Sequence, residues 1–268
     1  MKDKIRLDAA LVEQGHVSGR DRAKALIMAG QVYVNGKKVT KAGEEVPGSA
    51  AIEVRGETLP YVSRGGLKLE QAVKSFSLSI QDQVCGDIGA STGGFTDCML
   101  QNGASRVYAV DVGYGQLDWR LRSDPRVIVL ERTNARYLTR EQIPEALGLV
   151  TIDASFISLT LLLPVLPALM KEEADLVCLI KPQFEAGRDK VGKNGVVRDE
   201  VVHREVIRKV ADFGLKTGFS PRGLDFSPIT GPKGNIEYLL HLAHSPKGEK
   251  LSDQLILETV EQARLTLS

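Results

Sequence analysis

The segment Val84-Cys-Gly-Asp-Ile-Gly89-Ala-Ser-Thr-Gly93-Gly94-Phe95 places a glycine-rich turn between an apolar strand-like run and a helical pattern. Such a turn presents backbone N–H groups and the positive end of a helix dipole to a ligand. Asp111 ends the next strand-like run, 22 residues after Gly89. Nucleotide-binding α/β folds place a carboxylate for ribose hydroxyls at this position. The segment therefore predicts an α/β fold that binds a nucleotide-like ligand at the turn.

The pattern downstream of residue 64 alternates between strand-like and helical segments. We predict strands at 84–88, 106–111, 127–130, 149–153 and 176–180, and helices at 94–102, 159–170 and 199–213. This alternation is typical of βαβ units, which form a mostly parallel sheet with helices on both faces. The tail differs, because it predicts two strands, 215–226 and 236–243, and then a helix at 253–265 with Ser252 as its N-cap.

The N-terminal part predicts a small α+β unit. One helix ends at Gly15, and a second runs from about residue 20 to 29. Asn35-Gly36 then separates two short strand-like runs, which is the strongest short hairpin signal, and 51–54 reads as another strand. Leu59-Pro60-Tyr61-Val62-Ser63 looks like a junction, since proline disrupts helices and sheets. We therefore expect domains at 1–58 and 64–268 with a linker at 59–63.

The composition is that of an ordinary globular protein. The 268 residues are 43% apolar and 26% charged, unlike disordered or collagen-like chains. The longest apolar run, 159–170, contains two prolines and is shorter than the roughly 20 residues of a membrane-spanning helix. The first residues lack the apolar stretch of a signal peptide, and the three cysteines are scattered. We expect a cytoplasmic protein without membrane association.

The charge is unevenly distributed along the chain. The net charge is +1, but residues 1–41 contain nine Lys or Arg and four Asp or Glu, whereas the rest contains 26 and 30. A basic N-terminal unit on a mildly acidic body indicates contact with a polyanion. A simple solvated surface is the alternative that charge alone leaves open.

Asp87 and Ser91 bear on the kind of ligand. The dinucleotide fingerprint G-x-G-x-x-G needs glycine two residues after the first, so that the backbone approaches a pyrophosphate. Ser91 occupies that position here, which disfavours NAD. Asp87 adds negative charge, which suits a ligand with an ammonium and a sulfonium. The turn therefore favours S-adenosylmethionine over a dinucleotide, and over a tight turn without a ligand.

Four more polar residues are candidates for chemistry. Ligands of open parallel sheets lie outside the carboxyl ends of the strands, where Asp153 and Lys181 end two apolar runs. Lys68 lies on a predicted helix, and Glu237 lies in the predicted strand Ile236-Glu-Tyr-Leu-Leu240. Alternatives exist for each of them. Asp153 and Lys181 also fit a structural ion pair, Lys68 a surface lysine and Glu237 a solvent-facing residue.

The chain resembles the TlyA family, in which an RNA-binding domain of the ribosomal protein S-four type precedes a methyltransferase domain of the FtsJ type. Seven segments in order, over nearly the full length, carry the resemblance. They are 23–36, Val62-Ser-Arg-Gly-Gly-Leu-Lys-Leu69, 87–96, Val110-Asp-Val-Gly-Tyr-Gly-Gln-Leu117, 131–135, Asp153-Ala-Ser-Phe-Ile-Ser158 and Lys181-Pro-Gln-Phe-Glu185.

The resemblance implies a Lys-Asp-Lys-Glu catalytic tetrad, which by position falls on Lys68, Asp153, Lys181 and Glu237. It also implies an S-adenosylmethionine site in which the glycine-rich turn holds the methionine part, Asp111 holds the ribose and Asn134 lies near the adenine. No metal is required. The expected cofactor contacts are Asp87, Gly89, Ala90, Ser91, Thr92, Gly93, Gly94, Phe95, Asp111, Val112 and Asn134.

The fold implied by the resemblance is a Rossmann-like S-adenosylmethionine-dependent methyltransferase fold with a small N-terminal α+β RNA-binding domain. The implied substrate is ribosomal RNA in assembled subunits, modified at the 2′-hydroxyl of a cytidine; no obligate protein partner is evident. The second helix and the hairpin are expected to face RNA. The predicted RNA contacts are Arg6, Arg20, Arg22, Lys24, Lys37, Lys38 and Lys41.

A chemical hypothesis follows for the tetrad. Lys181 would act on the ribose hydroxyl, as a base or by stabilising the developing alkoxide. Asp153 and Glu237 would orient Lys181, and Lys68 would position the ribose. Two other functions compete with this one. A non-catalytic RNA-binding or ribosome-assembly factor would keep the fold without methyl transfer. A membrane-active haemolysin would need a spanning or strongly amphipathic segment, which the sequence does not suggest.

Overall fold

A computed structural model describes residues 4–17, 19–28, 30–55, 59–245 and 248–267. The chain divides into two compact units, Met1–Thr58 and Leu59–Ser268. The first unit has one hydrophobic core and the second has two.

The N-terminal unit combines two helices with short strands. Helices α1 (Leu7–Glu13) and α2 (Arg20–Met28) bury Leu7, Leu11 and Ile27 completely. The strands are β1 (Lys4–Arg6), β2 (Val32–Val34), β3 (Lys37–Val39), β4 (Glu45–Pro47) and β5 (Ile52–Val54). They form an antiparallel sheet in the order β3-β2-β5 and a separate β1-β4 pair.

The predicted hairpin is present between β2 and β3. Asn35 and Gly36 have φ angles of 48° and 78°, the left-handed pair that a two-residue type I′ turn requires. Asn35 Oδ1 accepts a hydrogen bond from the Ala51 N–H at 3.1 Å, which ties the turn to the chain entering β5. The helix predicted at 20–29 corresponds to α2, although Ala29 lies outside the described residues.

The C-terminal unit is an α/β sandwich. Its helices are α3 (Gly65–Phe76), α4 (Gly94–Gln101), α5 (Trp119–Arg122), α6 (Pro182–Glu185), α7 (Glu200–Lys216) and α8 (Asp253–Leu267). Its strands are β6 (Val84–Ile88), β7 (Arg106–Val110), β8 (Val127–Leu130), β9 (Leu147–Ile152), β10 (Met170–Ile180), β11 (Phe219–Phe226) and β12 (Tyr238–His244).

These strands form one sheet in the order β11-β12-β10-β9-β6-β7-β8. The pairs from β10 to β8 are parallel, whereas β12 is antiparallel to both β10 and β11. Alternate residues of β10 enter different cores. Val177 and Leu179 pack with α3 and α4, and Cys178 and Ile180 pack with α7 and α8. Helices therefore cover both faces, and the predicted methyltransferase-type α/β fold is confirmed.

The helix predicted at 159–170 is wrong. The chain instead forms two 3₁₀ segments, Leu159–Leu161 and Leu163–Ala168, and enters β10 at Met170. Pro164 and Pro167 lie in the second segment, and the absence of their N–H groups prevents a continuous α-helical ladder. The apolar spacing of this stretch reflects burial rather than an α-helix, because Leu159, Leu162, Leu163 and Leu166 are all buried.

The boundaries in the tail also differ from the prediction. Residues 215 and 216 belong to α7, and β11 begins only at Phe219. Gly218 has a φ of 90° at the turn between them, a conformation that ends a helix at little cost for glycine. The predicted cap Ser252 is confirmed, since its Oγ accepts a hydrogen bond from the Leu255 N–H at 3.0 Å.

Candidate active site

The glycine-rich turn between β6 and α4 has a strained backbone. Gly89 and Gly93 have φ angles of 86° and 98°, and Ser91 between them has a φ of 50°. The N–H groups of Gly89 and Ala90 both donate to the Val110 carbonyl, at 2.8 and 3.1 Å. A Cβ atom on Gly89 would lie 2.6 Å from the Asp153 carbonyl oxygen. The turn thus packs directly against the end of β9, and only glycine fits there.

Asp87 lies under this turn and is completely buried. Its Oδ2 accepts hydrogen bonds from the Thr96 N–H at 2.9 Å and the Thr96 hydroxyl at 2.6 Å. Burial raises the pKa of Asp87 to about 7, against the opposing effect of these hydrogen bonds. Asp87 therefore fixes the start of α4 beneath the turn, in addition to its predicted place in the cofactor site.

Asp111 directly follows β7 and organises the far side of the turn. Its Oδ2 accepts the Ser91 N–H at 2.8 Å, and its Oδ1 accepts the Gly113 N–H at 2.6 Å. Both carboxylate oxygens are therefore fixed by backbone groups. Each oxygen keeps a further lone pair with which it can bind a hydroxyl.

A cavity of about 510 Å³ opens beside Asp111. Val110, Ile157 and Leu162 give it apolar walls, and Asn134 and Asp111 add polar groups. The Asn134 side chain accepts the Arg136 N–H at 3.1 Å, which fixes its orientation. Val112 and Phe156 are 72% and 91% exposed, which leaves two apolar side chains at the rim. The shape and chemistry suit an adenosine-like group.

The four tetrad residues lie together at one end of the sheet. Lys181 Nζ is 2.5 Å from Asp153 Oδ1, and Lys68 Nζ is 2.6 Å from Glu237 Oε2. Lys68 Nζ is also 3.9 Å from Asp153 Oδ2. The charges therefore alternate in space in the order Lys181, Asp153, Lys68 and Glu237.

The four charged side chains are largely buried, so an unpaired charge among them would be costly. Glu237 is fully buried and Lys68 and Lys181 are 9% and 8% exposed, so each charge needs a partner. Glu237 precedes β12 rather than lying within it, and it is not the solvent-facing residue of the alternative interpretation. Its Oε1 is buried without a hydrogen-bond partner among the described residues.

A second cavity, of about 530 Å³, is lined by three of the four residues, and the buried Glu237 lies behind Lys68. It is lined by Lys68, Asp153 and Lys181 on one side and by residues 229–233 on the other. Gly89, Ser91, Asp153 and Ser155 line both this cavity and the one beside Asp111. The charged cluster therefore lies where the two cavities meet.

Several residues of the site were missed by the sequence analysis. Ser155 Oγ accepts a hydrogen bond from Lys181 Nζ at 2.9 Å, and its position two residues after Asp153 at a strand end was the available signal. Arg64 and Lys233 also line the second cavity. Their proximity depends on how distant segments of the chain pack, which no local pattern reports.

The predicted RNA contacts of the N-terminal unit differ in their exposure and in their ion pairs. Arg6 and Arg20 both bind the buried carboxylate of Asp8, at 2.9 and 3.2 Å, and they hold the pKa of Asp8 at about 2. The hairpin and the segment after it carry exposed lysines that form no ion pair with any residue in the described ranges, whereas Lys24 is paired with Asp21 at 3.0 Å. The exposed group comprises Lys37, Lys38 and Lys41; Arg22 lies on α2, partly buried.

Within the described parts of the chain, no helix has the length and apolar character needed to cross a bilayer.

Comparisons with known proteins agree with this site. The FtsJ-like methyltransferase family model matches residues 61–244, and the S4 domain model matches residues 5–52. The Bacillus subtilis protein YqxC is 52% identical, over 98% of this chain and 95% of its own length. The 16S/23S rRNA (cytidine-2′-O)-methyltransferase TlyA of Mycobacterium tuberculosis strain H37Rv is 45% identical, over 90% and 91%.

A solved structure supports the same relationship. A Streptococcus thermophilus protein described as a hemolysin superposes with a TM-score of 0.80 at 46% identity, over 99% of this chain and 98% of that chain. The chain therefore belongs to the FtsJ-like methyltransferase family and, with its S4 domain, to the TlyA family.

Proposed function

We propose that this protein transfers a methyl group from S-adenosylmethionine to the 2′-hydroxyl of a cytidine ribose in ribosomal RNA. The observation that carries the proposal is that Asp153 lines both cavities and is paired with Lys181 and Lys68, which line the second one. Glu237 pairs with Lys68 from behind. One cavity has the size and lining for a nucleoside, and the other has room for a second reactant. A group passed between two ligands must pass at this junction.

The residues around the turn fit S-adenosylmethionine. The carboxylate of Asp111 is held by the backbone next to the apolar cavity, where ribose hydroxyls and an adenine would bind. The turn itself offers backbone groups but has Ser91 where the dinucleotide fingerprint requires a glycine for close approach to a pyrophosphate. Asp87 and Asp153 place carboxyl groups near the methionine end. We assign the expected cofactor contacts, Asp87 to Phe95 around the turn with Asp111, Val112 and Asn134, to this ligand.

Lys181 is the residue placed to act on the hydroxyl. Two of its three N–H groups are directed to Asp153 Oδ1 and Ser155 Oγ, so the third remains for a ribose oxygen in the cavity. As an ammonium, Lys181 stabilises the negative charge that develops on the ribose oxygen while the hydroxyl proton passes to solvent; as a neutral amine, with two N–H groups and a lone pair, it takes that proton itself. S-adenosylmethionine supplies an electrophilic methyl carbon, so that a C–O bond forms as the C–S bond breaks.

Lys68 and Glu237 complete the arrangement. Lys68 Nζ lies between the carboxylates of Asp153 and Glu237, so it holds Asp153 towards Lys181 and offers a second cation to the ribose. Glu237 is fully buried and balances the charge of Lys68. The expected role of orienting Lys181 therefore falls to Asp153 and Ser155 and not to Glu237. In this arrangement the tetrad is electrically neutral as a whole, which lowers the cost of burying it.

Ribosomal RNA is supported as the substrate by the N-terminal unit and by the named activity of the Mycobacterium tuberculosis relative. Exposed lysines on the hairpin suit phosphate contacts, which position RNA without reading its sequence. We infer that assembled ribosomal subunits are the partner and that the protein acts in the cytoplasm.

The test is methyl transfer by the full-length chain. Tritiated S-adenosylmethionine is incubated with the protein and with small or large ribosomal subunits that lack the modification, and the labelled nucleotide is then mapped. We expect label on a cytidine 2′-oxygen. RNA binding without any label would instead support the non-catalytic assembly factor, and leakage of liposomes would support the haemolysin.

A further inference from the structure

Two segments that leave neighbouring strands contact each other over their whole length. Residues 153–158 follow β9, and residues 181–185 follow β10. At the cavity, Lys181 binds Asp153 and Ser155. Further along, the rings of Phe156 and Phe184 lie 4.9 Å apart. Glu185 then binds the far end of the first segment, so the charged pair at the cavity has a second attachment behind it.

The carboxylate of Glu185 is buried, with 1% of its side chain exposed. Its Oε1 accepts the Leu159 N–H at 2.6 Å, and its Oε2 accepts the Ser158 hydroxyl at 2.7 Å. Lys209 Nζ on α7 lies 3.2 Å from the same Oε2 and 2.9 Å from the Glu185 carbonyl. Every one of these contacts is within the chain, and Glu185 lines neither of the two cavities.

The segment held by Glu185 has a strained backbone. Phe156 has a φ of 64°, which costs a residue other than glycine roughly 1 kcal/mol or more. Its side chain is 91% exposed, so burial of Phe156 does not maintain this conformation. The conformation is maintained by hydrogen bonds on either side of Phe156. Lys181 holds Asp153 and Ser155 on one side, and Glu185 holds Ser158 and Leu159 on the other.

We propose that Glu185 is a positioning residue for methyl transfer, because it fixes the segment 153–158 so that Asp153 and Ser155 hold the Lys181 ammonium with its third N–H free for the ribose. The proposal rests on the proposed function. A displacement of about 1 Å at a reacting group can lower a rate about 100-fold. Glu185 therefore acts through Lys181 and does not touch either reactant.

The test compares Glu185→Gln with the unmodified protein in single-turnover methyl transfer at saturating S-adenosylmethionine. The amide has an NH2 group in place of Oε2, so it cannot accept from Lys209 Nζ, and the Ser158 hydroxyl keeps its contact only by turning to become the acceptor. We expect the transfer rate to fall at least tenfold while the KM for ribosomal subunits changes less than threefold. We also expect the pH–rate profile of the variant to differ from that of the unmodified protein, because Asp153 then holds the Lys181 side chain less firmly.

Two further variants make the test decisive. Glu205→Gln is the matched control, since Glu205 on α7 is an exposed carboxylate that pairs with Lys190; its rate and pH profile should stay unchanged. Ser158→Ala removes the contacts of the hydroxyl with Glu185 Oε2 and with the hydroxyl and N–H of Thr160. It leaves Glu185 paired with Leu159 and Lys209, and it should lower the rate at least threefold even if Glu185→Gln fails to fold.

The outcomes separate the two claims. If the unmodified protein transfers methyl groups and the folded Glu185 and Ser158 variants match it in rate and pH profile, the positioning role is refuted and the function stands. If the unmodified protein transfers no methyl group, the function fails and the positioning role fails with it.

Discussion

Lys181 and Asp153 directly follow two neighbouring parallel strands, and their charged groups lie 2.5 Å apart. The register that pairs Cys178 of β10 with Ile152 of β9 sets this distance. Because side chains alternate between the two faces of a sheet, a shift of one residue would send one of these groups to the opposite face. The sheet thus fixes the centre of the site, and the loops only refine it.

Because Lys68 and Glu237 form a buried ion pair, we expect a single substitution to destabilise the protein more than the double substitution does. Lys68→Met leaves the fully buried Glu237 carboxylate without its partner, so we expect a loss of about 3–5 kcal/mol in the free energy of unfolding. Lys68→Met with Glu237→Gln removes both charges and should recover at least half of that loss, while methyl transfer stays abolished. Urea unfolding measures this, and a double variant no more stable than the single one would contradict it.

The close packing around Gly89 predicts that a side chain at this position would disturb the turn by a steric clash as well as by its positive φ angle. Alanine there would bring Cβ to 2.6 Å from the Asp153 carbonyl, so Gly89→Ala should weaken binding of S-adenosylhomocysteine at least tenfold. Gly218→Ala is the control, since Gly218 has a φ of 90° but open space around its Cβ position. It should lose about 1–2 kcal/mol of stability and keep its affinity, as calorimetric titration would show. Equal affinities in the two variants would refute the steric argument.

The raised pKa of Asp87 predicts a pH dependence of stability. Burial raises this pKa from 3.8 to about 7, so between these values the folded state binds a proton that the unfolded state has lost. The contribution of Asp87 to stability therefore falls as pH rises from about 4 to about 7. Asp87→Asn keeps an acceptor for Thr96 and cannot ionise, so its stability relative to the unmodified protein should increase by up to about 4 kcal/mol over this range. Parallel stability curves in urea unfolding from pH 5 to 8 would contradict this.

The lysines of the hairpin and the arginines around Asp8 predict different defects. Lys37→Ala with Lys38→Ala should weaken binding to ribosomal RNA and reduce the slope of log affinity against log salt by about 1–2, with the melting temperature unchanged. Arg20→Ala should lower the melting temperature of the N-terminal unit as well, because it removes a partner of the buried Asp8. Filter binding at several salt concentrations and calorimetry separate the two. A melting temperature that falls equally in both variants would count against this division.

The sequence predicted the parts that depend on local pattern. The hairpin at Asn35-Gly36, the turn at Gly89 and the strands that precede Asp111, Asp153 and Lys181 all lie where glycine, turn chemistry and apolar runs indicated. Strand ends of a parallel sheet meet at one edge, so the proximity of Asp153 and Lys181 follows from topology once the strands are identified.

The rest depends on tertiary packing. The apolar run at 159–170 has helical spacing, but its prolines and its burial against the sheet give 3₁₀ segments. The burial of Glu237 arises from its contact with Lys68, which lies far away in the chain. Glu185 occurs within a quoted family segment, yet only the structure connects it to Ser158 and Leu159.

The most direct test of the proposed chemistry is single-turnover methyl transfer by Lys181→Met. The substitution keeps the length of the side chain and removes the amino group that we propose acts on the ribose oxygen. With S-adenosylhomocysteine affinity within threefold of the unmodified protein, we predict that label transfer to the cytidine 2′-oxygen of ribosomal RNA falls at least 100-fold. A folded Lys181→Met protein that transfers the methyl group at a rate within threefold of the unmodified one would contradict the account.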